Sequence, residues 1–305
     1  MKKKYKIKLF TEEPHPLSVG LDLLPAEKIL ELFLDDHRSV IKAIEDALPK
    51  IAILAKVYAS TYRNAGRIFY VGAGTSGRLA LLDAVELPPT FGIMSHRVQA
   101  IIAGGKSAMY KAIEAAEDDK VAGRLEIAKR AVGPKDLVIG VSASGETPFV
   151  LGAIEEAHAR GAKTAGIINN PNTTLERKVH FPIIVPTGPE LIAGSTRLKA
   201  GTAQKIVLNM LSTTAMILLG KVYDGFMIDL RATNEKLRRR AMRILNSLTG
   251  EQPERIRQVL IQTNWQVKPA VLMLKANLNY SEAMQVLEKY DGSLRKALTE
   301  LGQTF

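Results

Sequence analysis

Residues 66–92, GRIFYVGAGTSGRLALLDAVELPPTFG, constrain this chain more than any other stretch. The run 68–71 is apolar, β-branched and aromatic, as in a buried strand, and Gly72, Ala73, Gly74, Thr75, Ser76 and Gly77 make a glycine-rich turn that opens a helix. A strand feeding such a turn is an anion-binding device. Glycine lets the backbone approach a ligand, the Thr75 and Ser76 hydroxyls add donors, and the first-turn amides present unpaired N–H groups at the positive end of the helix dipole. Gly72, Gly74 and Gly77 also satisfy a dinucleotide fingerprint, which requires an acidic residue about 20 positions on to hold a ribose. The next strand-like run, 98–103, ends in Gly104 and Gly105 instead. A phosphorylated small molecule is therefore the better reading.

Composition narrows the classes further. With 305 residues, 46% hydrophobic and 24% charged, the chain reads as an ordinary globular protein of about two domains. A formal charge of +11 suits an acidic ligand, but the basic residues are dispersed. The densest cluster, KLRRRAMR at 236–243, reads better as a solvated helix face or ion-paired interface than as a nucleic-acid patch. The absence of cysteine removes disulfides, thiolate metal sites and cysteine nucleophiles together. His15, His37, His96, His158 and His180 are scattered without ligand spacing, so no structural or catalytic metal is expected. The start, MKKKYKIKLFTEEP, meets Thr11, Glu12 and Glu13 before an apolar stretch could form, unlike a signal peptide. The apolar run 206–219 is too short to span a bilayer and carries Asn209, Ser212, Thr213 and Thr214, which predicts a core helix of a cytoplasmic protein.

Taken in order, apolar periodicity predicts two helices over 25–48 and a third over 49–64, packed beside the sheet. Strands are expected at 68–71, 98–103, 137–141, 164–168 and 181–185, and helices at 107–117, 123–131 and 147–159. Such alternation implies an α/β fold with a parallel sheet covered on both faces and ligands at the carboxyl ends of its strands. The strand 137–141 ends in Ser142, Ala143, Ser144, Gly145, Glu146 and Thr147, followed by Pro148. Capping would explain one hydroxyl; Ser142, Ser144 and Thr147 together point to a second phosphate loop. Residues 186–205, PTGPELIAGSTRLKAGTAQK, form a long connection whose Glu190, Ser195, Thr196, Arg197 and Lys199 are candidates for a site edge. From 251 onward the pattern becomes helical, at 253–262, 268–274, 281–290 and 293–301, with Ser281 and Glu282 as a start signal and Trp265 in the core. The expected organisation is 1–65 helical, 66–250 α/β and 251–305 a small helical domain.

Three strings, GAGTSGRLALLDAVELPPTFG, SASGETP and GPELIAGSTRLKAGTAQKIVLNMLSTTAMI, resemble the N-acetylmuramic acid 6-phosphate etherases, a bacterial sugar-isomerase-domain (SIS) family related to the glucokinase regulatory proteins. The likeness runs from about Thr11 to the C-terminus. It implies an SIS three-layer αβα fold and cleavage of the D-lactyl ether of N-acetylmuramic acid 6-phosphate to N-acetylglucosamine 6-phosphate and D-lactate, as part of cell-wall amino-sugar recycling. The implied route is loss of the C2 proton, departure of lactate from C3, and hydration. It implies no metal or cofactor and a homodimer; the dispersed charge and the short apolar run already argue against a nucleic-acid or membrane partner. The alternative is a non-catalytic sugar-phosphate sensor; a third reading is an aldose–ketose isomerase.

By resemblance, phosphate is carried by Gly74, Thr75, Ser76, Ser142, Ser144 and Thr147, with Glu190 and Ser195 near the sugar and Lys199 near the anionic substrate. The catalytic pair is Glu86 and Glu117. Alone, Glu86 reads as a solvated helix residue and Glu117 as part of an acidic surface run; Glu114 shares a helical face with Glu117, and only the EGAED-like pattern selects the latter. Pro88 and Pro89 are expected to stop the first helix, which would set Glu86 near its negative end, a place suited to a general acid.

Overall fold

The computed structural model describes residues 9–303 apart from Arg231 and Thr233, and at Glu114 the backbone alone. Residues 1–8, which enter the signal-peptide argument, lie outside the described residues. Two compact units form: the chain up to Val85 with His96–Ser212, and Glu86–Ser95 with the chain from Thr213 onward.

The first unit is built on a five-stranded parallel sheet. Its elements are α1 (Ala26–Arg63), β1 (Ile68–Gly72), α2 (Gly74–Phe91), β2 (Val98–Ile102), α3 (Lys120–Lys129), β3 (Leu137–Ser142), α4 (Pro148–Ala159), β4 (Lys163–Ile168), α5 (Thr174–Lys178), β5 (Phe181–Ile184) and α6 (Lys199–Leu218). The strand order is β2-β1-β3-β4-β5, with Gly72 level with Val141. β1 and β3 are the two neighbours at which the order reverses, so their connections leave on opposite faces and a crevice opens at their carboxyl ends.

Side chains alternating along the strands separate the layers. Phe69, Val71, Ile101 and Val138 join Ile127, Phe149, Val150, Ile154 and Leu175 of α3, α4 and α5 in one core, each large side chain stabilising the fold by about 1.5–3 kcal/mol. On the opposite face the Tyr70 hydroxyl donates to Asp83 of α2 at 3.1 Å and lies 3.5 Å from the Tyr58 hydroxyl of α1. Asn209 and Ser212 of α6 donate to the other oxygen of Asp83, at 2.8 and 3.0 Å. The expected three-layer αβα architecture is thus formed, α3, α4 and α5 on one side and α1, α2 and α6 on the other.

Several expectations need correction. The three helices of 25–64 are one helix of 38 residues. Pro49 is exposed, so the bond it cannot make falls where water replaces it. The helix expected at 107–117 is two 3₁₀ turns, Gly105–Met109 and Glu114–Ala116. Ala108 is the only fully buried side chain described in that stretch, too little apolar surface to hold an α-helix. Pro88 and Pro89 do not stop α2: Leu87 and Phe91, 3% and 5% exposed, anchor a further turn, and the helix ends at Gly92 (φ +66°), whose N–H bonds the Pro88 carbonyl at 3.0 Å.

The second unit is helical. A hairpin of β6 (Val222–Tyr223) and β7 (Phe226–Met227) turns on Asp224 and Gly225, both at positive φ, the type I′ pattern. It is followed by α7 (Glu235–Thr249), α8 (Pro253–Gln262), α9 (Val267–Ala276), α10 (Tyr280–Lys289) and α11 (Leu294–Glu300). Ala241, Ile244, Leu245 and Leu248 of α7 share one core with Ile256, Leu260, Val271, Leu287 and Leu298. A boundary between 250 and 251 therefore cuts this core, because α7 buries its apolar stripe against α8 and α9. The start signal of α10 is Asn279, in a capping box with Glu282, rather than Ser281.

Candidate active site

The two hydroxyl loops leave the carboxyl ends of adjacent strands. In the first, Gly72 and Gly77 permit close strand–helix contact: a Cβ on Gly72 would lie 2.7 Å from the Gly77 nitrogen. Gly74 is exposed at φ +50°, while Thr75 and Ser76 are half-buried in the first turn of α2, where backbone N–H groups have no acceptor within the helix. Thr75 faces the start of α6, since a Cβ on Gly201 would lie 3.4 Å from its methyl.

The second loop is a hydroxyl cluster. Ser142, buried at 2% exposure, accepts the Gly145 N–H at 3.0 Å and lies 2.9 Å from the Thr147 hydroxyl and 3.4 Å from that of Ser144. Ser144 accepts the Glu146 N–H at 3.2 Å. Thr147 is the N-cap residue of α4, yet its side chain caps nothing. The capping alternative raised by the sequence therefore does not account for this hydroxyl. The loop stands on α5: Gly145 is at φ +68°, its carbonyl accepts the Leu175 N–H at 3.0 Å, and Glu146 accepts the Thr174 N–H at 2.5 Å.

Glu117 is exposed at the end of a 3₁₀ turn, and its carbonyl accepts the Phe149 N–H at 2.9 Å. That bond ties it to the first turn of α4, beside Thr147. Glu86 is exposed on the part of α2 that belongs to the second unit, and its carbonyl accepts the Thr90 hydroxyl at 2.7 Å.

The third stretch holds its charges internally. Glu190 is fully buried, and its two carboxylate oxygens accept the Lys199 and Ala200 N–H groups, both at 2.9 Å, a carboxylate cap on α6. The Lys199 ammonium, 3% exposed, lies 2.6 Å from Asp36 of α1, whose same oxygen is 3.2 Å from His15 Nε2. Ser195 is half-buried in a turn closed by its own N–H to Ile192 at 2.9 Å. The N-terminal segment braces this stretch, Thr11 accepting the Gly194 N–H at 2.9 Å and Ser18 donating to the Leu191 carbonyl at 2.6 Å.

Sequence reasoning missed Asp36, Asp83 and Asn170. The Asn170 amide donates to the Ala143 carbonyl at 2.8 Å and to the Thr11 hydroxyl at 3.0 Å, linking the second loop to the brace of the third. The signal for it was the pair Asn169 and Asn170 at the carboxyl end of an apolar strand. Asp83, 4% exposed, has its carboxyl pushed up by burial, against the opposing effect of Asn209, Ser212 and Tyr70. Nothing in spacing announced it. Among the described residues no group of three or more histidine or carboxylate side chains is placed to hold a metal ion, and no helix is long and apolar enough to cross a membrane.

Two family models match, the glucokinase regulatory protein N-terminal SIS domain over residues 50–158 and the SIS domain over 125–214. A relative from Serratia proteamaculans (strain 568), an N-acetylmuramic acid 6-phosphate etherase, is 46% identical over 95% of this chain and 98% of its own length. An etherase of the same name from Deinococcus radiodurans is 44% identical over 95% of both chains, and one from Clostridium botulinum (strain Okra / Type B1) is 42% identical over 96% of this chain and 97% of its own. With identity at this level along nearly the entire length, the chain belongs to the N-acetylmuramic acid 6-phosphate etherase family.

Proposed function

We propose that the protein is a carbon–oxygen lyase that cleaves the D-lactyl ether of N-acetylmuramic acid 6-phosphate, releasing D-lactate and N-acetylglucosamine 6-phosphate in amino-sugar recycling. The observation that carries the site assignment is the uncapped hydroxyl of Thr147 in the cluster with Ser142 and Ser144, on the strand next to Gly74, Thr75 and Ser76. A phosphate in the crevice between β1 and β3 takes hydrogen bonds from these hydroxyls and from the first-turn amides of α2. Glu190 and Lys199 act by holding the turn that carries Ser195 toward the sugar.

Glu117 serves as the general base that removes the C2 proton of the ring-opened sugar and later activates water. Glu86 serves as the acid that protonates the departing lactate oxygen. The C2 electron pair forms the C2–C3 double bond as the C3–O bond breaks; water then adds at C3 and the proton returns to C2, so no oxidant or reductant enters. The protein works as a cytoplasmic homodimer in this reading.

The test is D-lactate release from N-acetylmuramic acid 6-phosphate by the purified protein beside Glu86→Gln and Glu117→Gln. The expectation is stoichiometric lactate from the natural chain and a loss of at least roughly 10²-fold in each variant. A folded protein that binds sugar phosphates and releases no lactate overturns the reading in favour of a sensor.

A further inference from the structure

The helical unit contains an open cavity of about 1110 Å³ that none of the proposed chemistry uses. Its lining is apolar at Ile228, Leu230, Val267 and Leu287 and carries three cations, Lys221, Lys268 and Arg238, against two carboxylates, Asp229 and Glu288, beside Trp265. Asp229 is shared by two ammonium groups, Lys221 at 2.7 Å and Lys268 at 2.8 Å, so this triad carries a surplus positive charge. Lys268 is 9% exposed, which places that charge in the wall rather than in bulk water. Arg238 has no carboxylate within ion-pair distance among the described residues; its guanidinium stacks 5.1 Å from the centre of the Trp265 ring.

The backbone supports the same conclusion. Asn264 and Trp265 are consecutive non-glycine residues in the left-handed region, φ +47° and +62°. A bulky residue there is strained. Its N–H is pinned to the Leu260 carbonyl at 2.6 Å, and the conformation sets the indole on the cavity wall under Arg238. Helix α9 begins at the same wall, and its N-cap Gln266 makes no side-chain cap, leaving first-turn amides without a capping acceptor. A cation surplus, a flat aromatic platform and an apolar lining in one cavity describe a ligand with an anionic head and a flat or apolar body.

We infer that this cavity is a second small-molecule site, distinct from the hydroxyl loops, for a phosphate- or carboxylate-bearing ligand whose body lies on Trp265. Burial lowers the Lys268 pKa against the pull of Asp229, and an added anion offsets that cost.

Trp265 is the chain's single tryptophan, so its emission reports this cavity alone. The full chain is titrated with phenyl phosphate, benzoate and, as a head-only control, inorganic phosphate, reading tryptophan emission. The expected result is a saturable change with phenyl phosphate, benzoate or both, which also identifies the preferred head, and weaker or no response to inorganic phosphate. Arg238→Gln and Lys221→Gln, both at partly or fully exposed positions, are expected to raise each dissociation constant at least roughly tenfold. Thr147→Val, in the hydroxyl loop, is expected to leave the response intact, which separates this site from the proposed active site. No saturable change up to about 10 mM, an affinity of the weakest useful order, overturns the inference. So does a response that Thr147→Val abolishes, or one that survives both cavity substitutions.

Discussion

The Thr147 hydroxyl lies 2.9 Å from that of Ser142 and makes no bond to the helix whose N-terminus it occupies. An N-cap hydroxyl normally contributes about 1 kcal/mol of stability by capping. Here that contribution is missing. Thr147→Val should therefore lower unfolding free energy only by the worth of its bond to Ser142, about 0.5–1.5 kcal/mol, while weakening sugar-phosphate binding about tenfold. Chemical denaturation and calorimetric titration with N-acetylglucosamine 6-phosphate check the two halves separately.

Ser142→Ala should behave differently. It removes the acceptor for the buried Gly145 N–H as well as a ligand donor, so a stability loss of about 1–3 kcal/mol accompanies the loss of binding. A Ser142→Ala protein as stable as the natural one contradicts the hydrogen-bond assignment.

The Lys199–Asp36 pair bridges α6 and α1 with both side chains nearly buried, 3% and 6% exposed. Asp36→Ala leaves an ammonium without its carboxylate and should cost roughly 3–5 kcal/mol. The double variant Asp36→Leu with Lys199→Met should recover most of that, because neither charge then needs solvating. A denaturant-based double-mutant cycle reads the coupling; strict additivity of the single losses sinks the prediction.

Asp83 makes a similar test through hydrogen bonds rather than a direct ion pair. Asp83→Leu strands three donors, from Tyr70, Asn209 and Ser212, and should destabilise by about 2–4 kcal/mol. Asp83→Asn keeps one acceptor oxygen, which serves Asn209 and Ser212, and turns an amide N–H toward the Tyr70 hydroxyl, which can accept it, so the loss should be about 1 kcal/mol, smaller than for leucine. Because the folded-state pKa is raised, the folded form binds the extra proton, and stability falls as pH rises through the raised value. Asp83→Asn should remove that slope from a stability–pH profile.

Glu155 has the opposite sign. Burial pushes its carboxyl up, but Lys120, Arg124 and Lys178 outweigh that and hold it at about 2 against an ordinary 4.5. Its stabilising contribution is present above 4.5 and is lost as pH falls toward 2. Thermal melts between pH 5 and about 2 should show a shallower decline for Glu155→Gln, and added salt should shrink the difference between the two proteins.

The alternation of apolar runs with glycine- and hydroxyl-rich turns was enough to specify a parallel sheet, its five strands within a residue or so of their ends, and the loops holding Thr75, Ser76, Ser142, Ser144 and Thr147. Those features are local: a strand, a turn requiring positive φ and a helix start leave their signatures within a few residues. The residue types at 86 and 117 were visible but carried no local signal of their own. Tertiary structure alone decided that α1 runs unbroken past Pro49 and that α2 runs past Pro88 and Pro89, since a helix survives a missing bond when buried neighbours on either side hold it. It alone made Glu190 a cap and Lys199 the partner of Asp36, 163 positions away. Spacing in sequence cannot express a contact between elements that meet only when the sheet closes around its core.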